Sequence, residues 1–348
     1  GNIGEELDIA RAVVKLGPEK VKDLKWFHPQ DPDINLDPDI NQELLFDDIL
    51  ELYNAYRTPV KFEQSDVLPA YRSSTIENAV GSVPQQKEDP LAIGSNNWVV
   101  GGTLTADGNT YMANDPHRTI AIPSLRYMVH LVAPGWNVIG GGEPEIPGIS
   151  IGHNEYGSWG LTIFSTDGED LYVYDLNPEN RNQYLYKGAW EDMNVITETI
   201  KVKDKAEVNV DLLYTRHGPV TYVDSVHNKA YAIRAAWLEP GGSPYLASLR
   251  MDQAKTWEEF REACSYSHIP GENMVWADKK GNIGWQSVGI APIRRNFSGL
   301  VPVPGDGRYE WDGYLPIIQK PNALNPPQGY FATANQNVTP TDYVHWNA

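Results

Sequence analysis

Cysteine is almost absent from this chain: its 348 residues contain one, Cys264. A single thiol excludes an intrachain disulfide and a cysteine-based zinc cluster. Cys264 lies in a helix-like stretch and is expected to be a small buried apolar residue. No run of about eighteen apolar residues occurs, so no membrane span is read. No signal peptide is read either; Gly1 to Glu6 opens almost directly into a helix, as if the chain began mid-protein. Positive charge is also scarce. Lys and Arg number 28 against 46 Asp and Glu, a net charge of −18. That surface argues against nucleic acid and anionic membranes as partners, and is compatible with a calcium-binding or secreted protein. Internal repeats are missing. So is the Gly-x-Ser-x-Gly elbow, which leaves an α/β-hydrolase without support.

What is present suits a large folded core. Hydrophobic residues make up 41% and aromatics 11%, too many for a disordered chain. Residues 5–16 and 41–57 read as helices, the second from Leu44, Leu45, Ile49, Leu52 and Tyr53 at helical spacing. Trp26 to Pro38 reads as loop. Residues 63–94 lose periodicity and read as a mobile or removable linker. From Ser95 on, β signals dominate: Asn97–Val100, Thr110–Ala113, Ile149–Gly152, Trp159–Phe164, Val208–Thr215 and Ala230–Trp237 are short and bounded by turn residues. Asp107-Gly108-Asn109 signals a hairpin turn. Thr256 to Glu259 fits a capping box ahead of a helix through Phe260 and Cys264. Asn296 to Asn325 reads as irregular. The pattern is α+β with a large, mostly antiparallel sheet.

The chemistry centres on Gly94-Ser95-Asn96-Asn97-Trp98, directly after the linker. Read alone, the string is either a loop entering a strand or a self-cleaving junction. If the Gly94–Ser95 bond breaks, Ser95 gains an α-amino group, whose reference pKa is near ~8. That amine can act as base for its own hydroxyl without a His–Asp pair. Gly94, lacking Cβ, lets the hydroxyl approach its carbonyl.

Gly-Ser-Asn-Asn-Trp resembles the start of the catalytic β subunit in the penicillin acylase family of N-terminal-nucleophile hydrolases. The resemblance continues in order through Asn114-Asp115-Pro116-His117, Pro147-Gly148, Gly152-His153-Asn154 and Trp159-Gly160. It goes on through Arg216-His217-Gly218-Pro219, Gly281-Asn282-Ile283-Gly284, Pro302-Val303-Pro304-Gly305 and Gly329-Tyr330-Phe331, leading to Asn335. It implies a four-layer αββα fold of mostly antiparallel sheets. Residues 1–70 correspond to the helical C-terminal part of an α subunit, 71–94 to a spacer, and 95–348 to the N-terminal part of a β subunit. The resemblance implies a chain truncated at both ends, and an α/β heterodimer in which the partner of the β subunit is the α subunit of the same precursor.

By resemblance, Ser95 is the nucleophile, and Asn335 and the Ile163 backbone N–H are the two oxyanion donors. Two aimed donors stabilise a tetrahedral intermediate, and losing one costs roughly 3–4 kcal/mol. Alone, Asn335 reads equally well as a turn residue. His117 stands where relatives carry His or Gln and is expected to hold the Ser95 amine or hydroxyl by a hydrogen bond. Gly152-His153-Asn154 reads as a supporting turn or, alternatively, as a contact to the site.

Asp167, Glu169 and Asp170 form an acidic cluster. Alone, it reads as a solvated loop or as ligands for a hard cation. The resemblance implies a structural Ca2+ held by Asp167, Asp170 and the Glu169 carbonyl, with Glu6 supplied by the α-subunit segment and a further aspartate past the end of this chain. No organic cofactor is implied.

Arg118, after His117, falls at a position lining the acyl pocket. Benzyl-type penicillin acylases have an aromatic there; Arg118 and Tyr127 instead resemble the glutaryl-type cephalosporin acylases. The guanidinium either pairs with a carboxylate on the acyl chain or points to solvent or an acidic neighbour. Phe164, Trp159 and Ile151 are expected as apolar walls. The reading is an amidohydrolase cleaving a small N-acyl substrate through an acyl-enzyme on Ser95, in a periplasmic or secreted setting. The substrate is a β-lactam side chain, an N-acyl homoserine lactone or another acylated amine. Its rivals are an inactive calcium-stabilised binding protein of the same fold, and a carbohydrate-binding or structural domain suggested by 11 Trp and 19 Tyr.

Overall fold

Burial alternates along the strand that opens at Gly94. Ser95, Asn97 and Val99 are buried, while Asn96 and Trp98 are exposed. Successive side chains of a strand point to opposite faces, so this strand presses one face on a second layer and leaves the other open. The structure is a computed structural model that describes residues 2–55, 65, 68–71, 94–118 and 124–345. The spacer expected at 71–94 lies almost wholly outside them.

Three sheets and a ribbon carry the β structure. The first is β2 (Tyr111–His117), β1 (Gly94–Val100) and β20 (Tyr330–Thr333), with β1 in the centre. The second has seven strands in the order β19 (Asn322–Leu324), β15 (Ile283–Ser287), β14 (Glu272–Asp278), β6 (Gly157–Ile163), β5 (Ile151–His153), β4 (Trp136–Gly142) and β3 (Tyr127–Ala133). The third runs β10 (Asn194–Ile200), β11 (Val208–Thr215), β12 (Gly218–Asp224), β13 (Lys229–Ala235), β7 (Glu169–Asn177), β8 (Asn180–Tyr186) and β9 (Ala189–Asp192). Beside β7 lies β17 (Val303–Pro304), the one parallel pairing among the described residues. The ribbon is β16 (Ala291–Arg295) with β18 (Glu310–Leu315).

The first two sheets stack. Every residue of β14 is buried, because both of its faces are covered. Met274 and Trp276 join Trp159 and Leu161 of β6 under a helical layer, α4 (Ser248–Met251) and α5 (Trp257–Cys264), through Trp257, Phe260 and Cys264. Val275 and Ala277, on the other face, meet Val99 of β1. Cys264 is fully buried, as expected. The third sheet is covered at one face by α1 (Ile3–Leu16), whose Ile3, Leu7, Ala10 and Val13 pack on Leu171, Val173, Tyr231 and Ile233. The short α2 (Pro18–Leu24) follows it. Stacked, mostly antiparallel sheets with helices outside them are the expected architecture. Among the described residues no helix covers the open face of β1.

Two local readings change. Residues 41–57 do not form one helix: a 3-10 turn at Leu44–Phe46 and α3 (Glu51–Ala55) are separated by an extended Asp47. Arg11 of α1 is the cause, since its guanidinium takes the Leu45 and Asp47 carbonyls at 2.7 and 3.0 Å, where a continuous helix needs them. The apolar pattern was still informative, because Leu44, Leu45 and Ile49 are buried. Asn296–Asn325, read as irregular, contains β17, β18 and β19. The capping reading holds at Thr256, whose side chain accepts from Glu259 N at 3.3 Å. The Glu259 carboxylate accepts from Lys255 N, the residue before the cap, rather than from the cap N–H.

Candidate active site

Ser95 is the second residue of β1 and is 3% exposed. Its partner is Asn335, just past the end of β20, the strand that pairs with β1. Asn335 Oδ1 accepts from Ser95 N at 2.7 Å, and Asn335 Nδ2 donates to Ser95 Oγ at 3.0 Å. The carboxamide can turn back in this way because Asn335 sits at φ +68°, a conformation that asparagine tolerates better than most residues. Turn residue and site residue are therefore the same reading. Behind the pair runs a buried polar chain. Thr333 Oγ1 donates to Asn97 Oδ1 at 2.5 Å and lies 2.6 Å from Thr162 Oγ1. Asn273 Nδ2 donates to Thr162 Oγ1, and Trp285 Nε1 donates to Asn273 Oδ1. This chain ties β1, β20, β6, β14 and β15 together beneath the serine. Sequence reasoning did not find it.

Ile163 is the last residue of β6 and pairs with Glu272 of β14. Phe164 N donates to Gly271 O. Since hydrogen-bonded and non-bonded pairs alternate in an antiparallel ladder, the Ile163 N–H points away from β14. Leu161 N–H, two residues earlier, points the same way and meets Asn114 Oδ1 at 2.8 Å. On that side β5 pairs with β6 only at Ser158 and Trp159, so the end of β6 is open toward the first sheet. Asn114 closes the gap before it, donating to Asn96 O at 3.2 Å and Leu161 O at 2.9 Å. Gly160 is required there, because a Cβ on it would lie 2.6 Å from Asn114 Oδ1.

Gly94 faces the site from the other side of the bond. A Cβ on it would come within 2.8 Å of Asn335 Oδ1. Gly94 pairs with His117 across β1 and β2. The His117 ring does not bond Ser95, which corrects the expected role: its Nε2 lies 3.1 Å from Asp115 Oδ2 and 3.4 Å from Asn96 Nδ2. The β1–β2 register sets it beside the Gly94 backbone instead. Arg118 is half-buried and forms no ion pair among the described residues. Its Nη1 donates to Gly94 O at 3.2 Å and to His117 O at 2.9 Å.

The remaining pocket candidates occupy different surroundings. Tyr127 begins the edge strand β3 and stands against Gly142. Ile151 packs into the helix-covered core, which Trp159 also joins. Phe164 lines a cavity of about 260 Å3 with Trp26, Phe27, Thr166 and Pro321, with the Lys320 ammonium 5.0 Å from its ring. Glu272, opposite Ile163, was not singled out from sequence, where one acid in Gly-Glu-Asn carries no signal. It is 2% exposed, and its Oε2 has no partner among the described residues. Burial pushes its pKa up to about 7, against the pull of Tyr245 and of the Arg118 and Arg126 guanidinia. Gly152-His153-Asn154 is a supporting turn. Asn154 Nδ2 donates to Asp252 O and Ala254 O, and its Oδ1 accepts from Tyr156 N and Gly157 N. His217 of the Arg-His-Gly-Pro motif is buried between Tyr174 of the third sheet and Glu310 of the β16–β18 ribbon.

The acidic cluster does not fit a calcium ion as it stands. Arg294, fully buried, donates to Asp167 Oδ1 at 2.8 Å and to both Asp170 oxygens at 2.9 and 3.0 Å. Trp311 Nε1 also donates to Asp170. Both Glu6 oxygens accept from Leu171 N at 3.2 Å. The Glu169 carboxylate accepts from Ile3 N, Tyr53 Oη and Trp237 Nε1. Among the described residues no three acidic, His or Cys side chains converge on a metal position. Burial still pushes Asp167 up to about 7 and raises Glu6, with the neighbouring acids adding to the effect and Arg294 opposing it.

Comparison with known proteins places this geometry. A family model described as penicillin amidase matches residues 1–348. The acyl-homoserine lactone acylase QuiP of Pseudomonas aeruginosa is 30% identical over 98% of this chain and 39% of its own length. Penicillin G acylase of Escherichia coli is 33% identical over 72% of this chain and 29% of its own. Among solved structures, a thermostable penicillin G acylase from Alcaligenes faecalis matches with a TM-score of 0.63 and 31% identity, over 71% of this chain and 46% of that one. The chain thus spans less than half the length of these relatives.

Proposed function

This chain belongs to the penicillin amidase family, and from that premise we propose that it carries the nucleophile and oxyanion donors of an acylase that hydrolyses the amide of a small N-acyl compound. The observation that carries the reading is the two-point grip of the Asn335 carboxamide on Ser95. A structural asparagine has no need to donate to a serine hydroxyl and accept from the same residue's N–H. An N-terminal nucleophile needs both its nitrogen and its oxygen held.

In the proposed reaction the Gly94–Ser95 bond is cut first, by the chain itself, and residues on either side remain together as an α/β heterodimer. The new amine then serves as base for the Ser95 hydroxyl. Attack on the substrate carbonyl builds negative charge on its oxygen. Asn335 Nδ2 and the Ile163 N–H, which points away from β14 at the open end of β6, are the donors that stabilise that charge in this reading. The amine product leaves, and water releases the acid from the acyl-enzyme. The proposed setting is periplasmic or secreted. Arg118 favours acyl groups ending in a carboxylate. It forms no ion pair among the described residues and donates only to the Gly94 and His117 carbonyls, so its charge can be shared with a carboxylate.

Intact-mass analysis of the complete protein tests the reading. A break before Ser95 is expected, Ser95→Ala should abolish it, and only the cut protein should release product from chromogenic amides. A protein that stays whole and inactive while binding acylated compounds would instead be an inactive binding protein of this fold. Among benzyl, glutaryl and alkyl amides the glutaryl compound should be turned over best; activity on benzyl amides alone would remove the substrate role of Arg118.

A further inference from the structure

We propose that Arg118 is a catalytic residue of the self-cleavage, binding the Gly94 carbonyl oxygen as it becomes an oxyanion, before the site ever meets a substrate. The proposal rests on the reading that the Gly94–Ser95 bond is cut by Ser95.

Before the cut, the scissile carbonyl belongs to Gly94, and the donors available to it differ from those that serve turnover. Asn335 Nδ2 is engaged with Ser95 Oγ and Asn335 Oδ1 with Ser95 N. The carboxamide therefore holds the attacking oxygen and the departing nitrogen, and is not on the Gly94 carbonyl. The group on that carbonyl is the Arg118 guanidinium, at 3.2 Å. Its position follows from the register: Gly94 is opposite His117, so the next residue reaches around the end of the ladder to the Gly94 oxygen. The second bond from the same nitrogen, to His117 O at 2.9 Å, fixes the guanidinium there. A chain with a net charge of −18 offers many carboxylates, yet among the described residues this arginine ion-pairs with none and contacts two neutral carbonyls.

The step balances within the chain. Ser95 Oγ adds to the Gly94 carbonyl carbon, and the electron pair of the C=O bond moves to the oxygen facing Arg118. A charge-assisted bond there is stronger than the neutral bond it replaces, which is the condition for lowering a barrier. The adduct collapses with loss of the C–N bond. The hydroxyl proton ends on the Ser95 nitrogen, which becomes the amine, and the Gly94 acyl group is left as an ester on Ser95 Oγ. Water hydrolyses that ester to the Gly94 carboxylate and the restored hydroxyl. Once Gly94 is free to leave, the guanidinium is released from its first role and becomes available to the acyl group of a substrate.

The test follows the rate at which the complete precursor is cut, by intact mass over time. Arg118→Ala should slow cutting about 100-fold, the loss typical of one oxyanion donor. Added guanidinium ion should restore part of the rate, a rescue that a merely structural role would not allow. Arg118→Lys, which keeps the charge and disturbs packing least, should cut about 10-fold slowly with an unchanged melting temperature; it decides the matter if the alanine variant misfolds. Cutting of Arg118→Lys and Arg118→Ala at the wild-type rate overturns the role of Arg118 while leaving self-cleavage intact. A wild-type precursor that never cuts, or a Ser95→Ala variant that still does, overturns the underlying reading instead.

Discussion

Asn335 holds Ser95 at both ends, its oxygen on the backbone nitrogen and its nitrogen on the side-chain oxygen, 2.7 and 3.0 Å away. The two residues are 240 positions apart and meet because β20 pairs with β1. Removing the carboxamide should therefore impair both the making and the using of the nucleophile. Asn335→Ala is expected to slow amide turnover by ~100- to 1000-fold and to delay the cut before Ser95. Kinetics on a chromogenic amide, alongside intact mass, would show it. Loss confined to KM would place Asn335 in substrate binding alone.

Asn114 and Gly160 form the second relationship worth breaking. Asn114→Ala leaves the Leu161 N–H without its acceptor, a loss of about 1–3 kcal/mol. Gly160→Ala drives a methyl into Asn114 and should destabilise by a similar or larger amount. The double variant should cost less than the sum of the singles, because the smaller residue at 114 makes room for the methyl. Urea unfolding of all four proteins measures the coupling; strict additivity would mean the two do not meet.

Glu272 should give the stability a pH signature. Its folded pKa is raised to about 7 by burial, above the unfolded value of about 4.3. Its contribution is therefore fully present below pH ~4 and is lost as pH rises through about 7, where the folded protein must ionise a buried acid. Glu272→Gln removes the loss. The variant should gain on wild type by on the order of 2–3 kcal/mol between pH 5 and 8, each pKa unit being about 1.4 kcal/mol. A difference that stays flat with pH would show that Glu272 is not held protonated.

Arg294 should matter more to stability than added calcium. Arg294→Met leaves the buried Asp170 and the part-buried Asp167 without their cation, and breaking a buried pair such as Arg294–Asp170 costs roughly 3–5 kcal/mol. Wild type should melt at the same temperature with chelator or with millimolar Ca2+. The Arg294 variant should be partly restored by Ca2+, which can take the place of the guanidinium. A calcium-dependent melting temperature in wild type would show that the carboxylates turn from Arg294 to a metal.

Much of the site was readable from short strings whose meaning is local. Gly94-Ser95 needs a small residue before a hydroxyl, and its place after an aperiodic stretch marks a strand entry. Asn154 and Thr256 act within a few residues of themselves, one as a turn and one as a cap. The antiparallel character of the chain after Ser95 followed from strand-length runs between turn residues. These features depend on period and turn chemistry, which a linear sequence carries.

What the sequence left open was the partner of each side chain. Arg11 breaks an otherwise regular helix pattern by taking two carbonyls from a segment over thirty residues away. Arg294 enters an acidic cluster that by composition suits a cation of either kind. His117 turns to Asp115 and Asn96, and Arg118 to the Gly94 carbonyl, because the β1–β2 register sets them there. The sequence by itself determined which residues have the chemistry and where several of the strands run. Only the tertiary structure decided which donor meets which acceptor, because a hydrogen bond is settled over about 3 Å while these partners lie tens to hundreds of residues apart.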